Sequence, residues 1–291
     1  MKRKDFLEKG LFAGIAGTLM PGLIGSNEVK AKSTYDKLKE QVGFNHIPNK
    51  EIKEMNTVLH KANSRGHANH GWLDTNHSFS FANYYNPERM NFGVLRVLND
   101  DRIAAGTGFG THPHDNMEII SIPLEGALEH KDSMGNTAVI KEGEVQVMSA
   151  GTGIMHSEYN KNKDQEAKFL QIWLFPRQKG VEPRYDQISI RDVEKENDWY
   201  QILSPSKDDQ GVWIHQDAWF HMGRFKSGKS ADYKLKKEGN GMYLFVLEGE
   251  VKVGDQLLGE RDGYGIWDAD GFNVEASKDS RLLLMEVPMR L

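Results

Sequence analysis

From about residue 92 onward the apolar positions fall in short β-rich runs of about five to eight residues, punctuated by Gly, Asn and Asp, and helix-length periodicity is scarce. The pattern predicts strands at Phe92 to Leu98, Met117 to Leu124, Leu128 to Lys131, Thr137 to Ile140, Val145 to Met148 and Phe169 to Phe175. The turns between them, such as Leu124-Glu125-Gly126-Ala127 and Asp132-Ser133-Met134-Gly135-Asn136, carry residues that tolerate positive φ. Regularly spaced short strands argue for an all-β sandwich or barrel.

The pattern then recurs. Tyr243-Leu244-Phe245-Val246-Leu247-Glu248-Gly249 echoes Ile119-Ile120-Ser121-Ile122-Pro123-Leu124-Glu125-Gly126, and Arg261-Asp262-Gly263 loosely answers Glu142-Gly143-Glu144. An internal duplication of two β-barrels follows. The charged, Pro-containing stretch Arg177 to Gln210 reads as the crossing between them, with the boundary near Gly180. The expected domains are therefore 57–180 and 181–291.

Ahead of them, a basic start (Lys2, Arg3, Lys4, Lys9) precedes the apolar stretch Leu11 to Ile24 and a Val29-Lys30-Ala31 cleavage pattern. The stretch is short of the ~20 residues that a membrane-spanning helix needs, so residues 1–31 read as a signal peptide cut after Ala31. Arg3-Lys4-Asp5-Phe6-Leu7 resembles a twin-arginine export signal with Lys in place of the second Arg. The expectation is a periplasmic protein with no stable membrane span; without a working signal it would stay in the cytoplasm. Residues 32–56 read as a charged tether.

The chain of 291 residues carries 37 Lys and Arg against 42 Asp and Glu, a net charge of −5. An acidic chain with no dense basic block lacks the footprint of a nucleic-acid binder. The absence of cysteine removes disulfides, thiolate nucleophiles and Cys-ligated metals, so any metal must sit on His and carboxylate.

Of the eleven histidines, His112-Pro113-His114 and His156-Ser157-Glu158 stand out. On an extended strand, residues i and i+2 point to one face about 6.5 to 7 Å apart, so each pair projects two donors the same way. Two such strands face to face would gather three imidazoles and one carboxylate, a set suited to Fe, Ni, Cu, Co, Mn or Zn and poorly suited to Ca or Mg. Gly106, Gly108 and Gly110 before the first pair, and Gly151 and Gly153 before the second, fit a backbone that bends tightly to aim these side chains. A polar loop holding His112 and His114, with a surface ion pair at His156 to Glu158, is the bland alternative.

The run His112-Pro113-His114-Asp115-Asn116-Met117-Glu118, followed by Leu124-Glu125-Gly126-Ala127-Leu128-Glu129-His130-Lys131-Asp132-Ser133-Met134-Gly135-Asn136, resembles the pirin family of the cupin superfamily. Gly71-Trp72-Leu73-Asp74, His77-Ser78-Phe79-Ser80-Phe81-Ala82, Phe92-Gly93-Val94-Leu95-Arg96-Val97 and Ser149-Ala150-Gly151-Thr152-Gly153-Ile154-Met155-His156-Ser157-Glu158 agree in order and spacing. The likeness runs from about Arg65 to Leu291. It implies a bicupin of two double-stranded β-helix barrels, whose first barrel binds one metal, usually Fe²⁺, through His112, His114, His156 and Glu158. The general cupin pattern would nominate Glu118 as the carboxylate; the pirin pattern places it two residues after the third His. The second barrel has no His around Tyr243 to Glu250 and is expected to bind no metal, and His67, His70, His77, His130, His215 and His221 are read as structural, with His77 or His130 able to line the pocket.

Bacterial members resemble quercetin 2,3-dioxygenases, so the resemblance implies an oxidoreductase that takes a flavonol and O₂. Glu158 is the expected general base for the flavonol 3-hydroxyl, and Phe92, Phe109, Phe169 and Trp173 are candidates to wall a flat substrate, although such residues more often form core. A non-enzymatic metal-sensing or partner-binding module is the competing reading. The protein is expected to be a monomer.

Overall fold

A computed structural model describes residues 55–290. The expectations placed on residues 1–31 and on nearly all of the 32–56 tether lie outside the described residues. No helix among the described residues is long and apolar enough to cross a membrane.

The described chain is all-β: its helical segments are two 3₁₀ turns, Ala62–Ser64 and Arg191–Val193. It forms two similar domains, each a seven-stranded sheet facing a four-stranded one. In the first, the large sheet runs in the order Arg184–Ser189, Glu144–Ser149, Glu118–Glu125, Ala167–Leu174, Leu95–Ile103, Leu73–His77, Gly66–Asn69. The small sheet runs Gly108–His114, Ile154–Asn160, Ala127–Asp132, Thr137–Lys141. The expected barrels thus take the form of facing pairs of separately hydrogen-bonded sheets; closure of either pair into one continuous ring is not seen among the described residues.

The duplication is visible element by element. Glu118–Glu125 and Asn240–Glu248 occupy the same place in their sheets, and each ends at a glycine with positive φ, Gly126 at 76° and Gly249 at 86°, before turning into the small sheet. The domains exchange edges. Asn56–His60, first in sequence, pairs with Gly263–Trp267 in the second domain, while Arg184–Ser189, beyond residue 180, pairs back onto Glu144–Ser149 in the first.

Burial follows from this layering. The two large sheets share one apolar core, with Ile120, Ile122, Leu170 and Ile172 from the first domain against Phe220, Met222, Phe245 and Leu283 from the second. Strands in these central layers are covered on both faces, which explains why Glu118–Leu124 reads as a nearly continuous apolar run instead of alternating. The outer small sheets do alternate: Ile154–Asn160 is buried at every second residue, His156 and Glu158 among them.

The two domain interiors differ in chemistry. In the second, the inward positions of the small sheet's paired strands are Ala231 opposite Val274 and Tyr233 opposite Phe272, packed on Met242, Leu244, Val246, Leu282 and Leu284. In the first, apolar clusters around Phe169 and around Met148 leave a polar layer between them.

Candidate metal centre

His112 and His114 share the inward face of strand Gly108–His114, and His156 and Glu158 that of its antiparallel neighbour Ile154–Asn160, with His156 directly opposite His112. The register slips between His156 and Glu158, where Glu158 lies opposite Phe109. The extra residue on the glycine-rich strand restores parity, so that Phe109 faces inward beside the histidines. Of the approach glycines, Gly106, Gly151 and Gly153 have positive φ (68°, 49° and 135°). Gly108 serves differently: a Cβ there would lie 2.2 Å from the Glu158 carbonyl oxygen. Gly110 has open space around it, and its carbonyl accepts a hydrogen bond from His112 Nδ1 at 2.7 Å.

One ring nitrogen from each of His112, His114 and His156 lies within 4.8 Å of the others. The rings stand edge-on or tilted, with centroids 4.4 to 4.9 Å apart. His114 Nε2 and His156 Nε2 are buried with no hydrogen-bond partner, and His112 Nδ1 is occupied by Gly110, which leaves its Nε2 for the common point. Burial, then the neighbouring histidines, pushes His156 far below the ordinary imidazole range, and burial followed by His112 lowers His114 to about 4. Neutral imidazoles with unused lone pairs are what a transition metal requires, so these residues fit a bound ion.

Glu158 lies outside that group of three nitrogens. Its carboxylate accepts hydrogen bonds from Ser121 Oγ at 3.0 Å and Gln171 Nε2 at 2.7 Å. Burial raises it to about 7 despite those two donors. Glu118 is on the other face of the large sheet. It shares that face with Ile120 and Ile122, and accepts hydrogen bonds from Ser149 Oγ at 2.8 Å and from the His215 backbone of the second domain at 3.2 Å. It is a domain-contact residue.

Opposite the histidines, His77, Asn99, Gln171, Ser121 and Gln146 lie side by side on five adjacent strands, forming one polar rung across the large sheet. All five are buried. Ser121 and Gln171 serve Glu158, whereas His77 Nδ1, Asn99 Oδ1 and both amide atoms of Gln146 have no partner. His77 is hydrogen-bonded to Thr75, which donates to Asp101, and burial lifts Asp101 to about 7. Trp173 stands edge-on to His114 at 4.8 Å and against Phe81 at 5.4 Å. Phe109 lies 6.4 Å from His112, but Phe92 is in the core between the domains, against Tyr243, and Phe169 is fully buried with Leu73 and Leu128. Of the four aromatic candidates, Trp173 and Phe109 therefore reach the histidines. Of the rung residues, His77 was open to a pocket-lining reading from the sequence, whereas Asn99, Ser121, Gln146 and Gln171 lacked any local signal: Gln171 sits inside an apolar run, and only strand register brings it to Glu158.

Fold and site together define a two-domain protein of the cupin fold with an imidazole cluster in its first domain. The chain belongs to the pirin family: residues 58–174 match the pirin family model and residues 201–287 that of the quercetinase C-terminal cupin domain. It is 44% identical over 230 residues to a quercetin 2,3-dioxygenase of Escherichia coli K12, covering 79% of this chain and 98% of that protein. A pirin-like protein of Caulobacter vibrioides is 40% identical over 222 residues, 76% of this chain and 95% of that one. Among solved structures, the bacterial pirin YhhW from Escherichia coli in complex with nickel(II) superposes with a TM-score of 0.76 at 42% identity, over 80% of this chain and 99% of that one.

Proposed function

We propose that this protein is a metal-dependent dioxygenase that opens the central ring of a flavonol such as quercetin with O₂, releasing carbon monoxide. The observation that carries the reading is the convergence of one ring nitrogen from each of His112, His114 and His156 within 4.8 Å, in a group where His114 Nε2 and His156 Nε2 are buried with no hydrogen-bond partner. The names of the relatives supply the substrate class, and the nickel(II) complex of one of them supports a transition metal at this cluster.

His112, His114 and His156 would hold the ion, with Glu158 as the carboxylate donor, and Fe²⁺ is the metal we favour for dioxygen chemistry. When bound, such a metal supplies Lewis acidity toward an enolic oxygen and a redox partner for O₂. Glu158 takes the proton of the 3-hydroxyl, and Ser121 and Gln171 hold its carboxylate toward the interior. Trp173 and Phe81 offer a flat wall, and the unpaired atoms of Asn99, Gln146 and His77 suit a ligand bearing several hydroxyl and carbonyl groups, because a buried polar atom left unpaired costs about 1–3 kcal/mol. We also propose, from the sequence pattern alone, that residues 1–31 direct export.

Aerobic incubation of the metal-loaded protein with quercetin tests the reading. Loss of the flavonol absorption with stoichiometric carbon monoxide is expected. A protein that retains its metal yet turns over no member of a flavonoid panel would contradict it.

A further inference from the structure

Beside the three histidines lies a fourth, His130, fully buried on strand Ala127–Asp132. That strand pairs with Ile154–Asn160 on the side away from His112 and His114, so His130 approaches His156 from behind, Nδ1 to Nδ1 at 3.5 Å. Its other nitrogen, Nε2, is 3.0 Å from Asp132 Oδ2. Asp132 is an acceptor on both oxygens: Oδ1 takes the backbone N–H groups of Met134 at 2.9 Å and Asn136 at 3.0 Å, and Oδ2 takes Asn136 Nδ2 at 2.8 Å. Tyr185 covers the His130 ring at 4.6 Å between centroids, and its hydroxyl is turned away to Gln187.

This arrangement fixes protons in sequence. Facing a carboxylate oxygen, His130 Nε2 must carry the hydrogen, so His130 Nδ1 is a lone pair. The nitrogen it meets, His156 Nδ1, must then carry a hydrogen, which leaves the lone pair of His156 on Nε2, the buried atom with no other partner. We infer that Asp132 and His130 form a positioning relay that sets the tautomer of His156 and so aims its lone pair at the point shared with His112 and His114. The inference rests on the metal reading for its purpose, and on hydrogen-bond geometry alone for its mechanism. Outer partners of this kind typically change metal affinity by about 10–100-fold when altered.

Asp132→Asn tests it with little disturbance of the turn. The Asn oxygen can keep the Met134 and Asn136 backbone bonds, and the Asn136 side-chain amide, which donates to Asp132 Oδ2 in the wild type, turns over to present its oxygen; the new amide N–H group then faces His130 Nε2 and reverses the relay, as the wrong tautomer does in a carboxylate-to-amide triad variant. ¹⁵N NMR of the metal-free wild-type protein is expected to show His130 protonated on Nε2 and His156 on Nδ1; in Asp132→Asn both should switch. Nickel(II) affinity, measured by chelator competition, should fall about 10–100-fold in the variant, and in the control Tyr185→Phe tautomers and affinity should match wild type. Wild-type His156 protonated on Nε2 would overturn the relay, as would undiminished nickel affinity in Asp132→Asn or weaker binding with unchanged tautomers. Should the variant not fold, the wild-type tautomers decide. The readouts involve no turnover, so a protein inactive on flavonols can still show the relay, and a wild-type protein that takes no nickel overturns the metal reading separately.

Discussion

Glu118 and Glu158 are both buried carboxyls raised to about 7 by desolvation, yet they face opposite sides of the large sheet and have different work. Glu118 meets the second domain, and its raised pKa has a testable consequence. Between the ordinary 4.5 and about 7, the folded protein holds a proton on Glu118 that the unfolded chain has released. Its contribution to stability therefore falls as pH rises through that window. Glu118→Gln removes the effect: denaturant titrations from pH 4.5 to 7.5 should show wild type losing stability relative to the variant, by at most about 1.4 kcal/mol per pH unit, with the difference levelling above about 7. A pH-independent difference would contradict it. At this scale the sequence was partly legible. His-x-His and His-x-Glu announce donors on one strand face, but nothing in Glu118 itself shows on which face it falls; that needs the register, which puts Glu118 with Ile120 and Glu158 with Ser121 and Gln171. His130-Lys131-Asp132 has the same i, i+2 spacing as the ligand pair; the sequence leaves His130 structural or pocket-lining, and only the pairing of its strand with Ile154–Asn160 brings it to His156.

At the scale of elements, the strand pair Gly108–His114 and Ile154–Asn160 sets the geometry, and its glycines are not equivalent. Ala at 108 would push a Cβ to 2.2 Å from the Glu158 carbonyl oxygen and 2.5 Å from Tyr159 Cα, backbone atoms with no freedom to yield, whereas Ala at 110 meets nothing within 4 Å. Gly108→Ala is expected to cost about 1–3 kcal/mol and to weaken metal binding by prising the strands apart; Gly110→Ala should leave both nearly unchanged. Equal effects in urea melts of the two variants would contradict this account of the pair. The glycine clusters were readable as places where backbone bends or approaches closely, but which glycine does which depends on the neighbouring strand. The polar rung was unreadable for a similar reason: its members are scattered from His77 to Gln171 and meet only through strand pairing.

For the whole molecule, the core shared by the two large sheets and the exchanged edge strands Asn56–His60 and Arg184–Ser189 make the domains one stability unit. Phe220 is fully buried in that shared core, so Phe220→Ala is expected to cost about 3–5 kcal/mol and to lower a single thermal transition, followed equally by far-ultraviolet circular dichroism and by tryptophan fluorescence. Two separated transitions would show independent domains. The repeated Leu-Glu-Gly strand end made the duplication legible, while the edge exchange was not, because both edge segments lie outside the repeated pattern. The division of labour follows from the interiors: Ala231, Tyr233, Val274 and Phe272 fill the second, and imidazoles line the first. Metal analysis of the wild-type protein beside His114→Ala tests this most directly. One transition-metal ion per wild-type chain and a large loss in the variant are predicted; a wild-type chain that binds none, or a variant that keeps a full equivalent, would contradict the account.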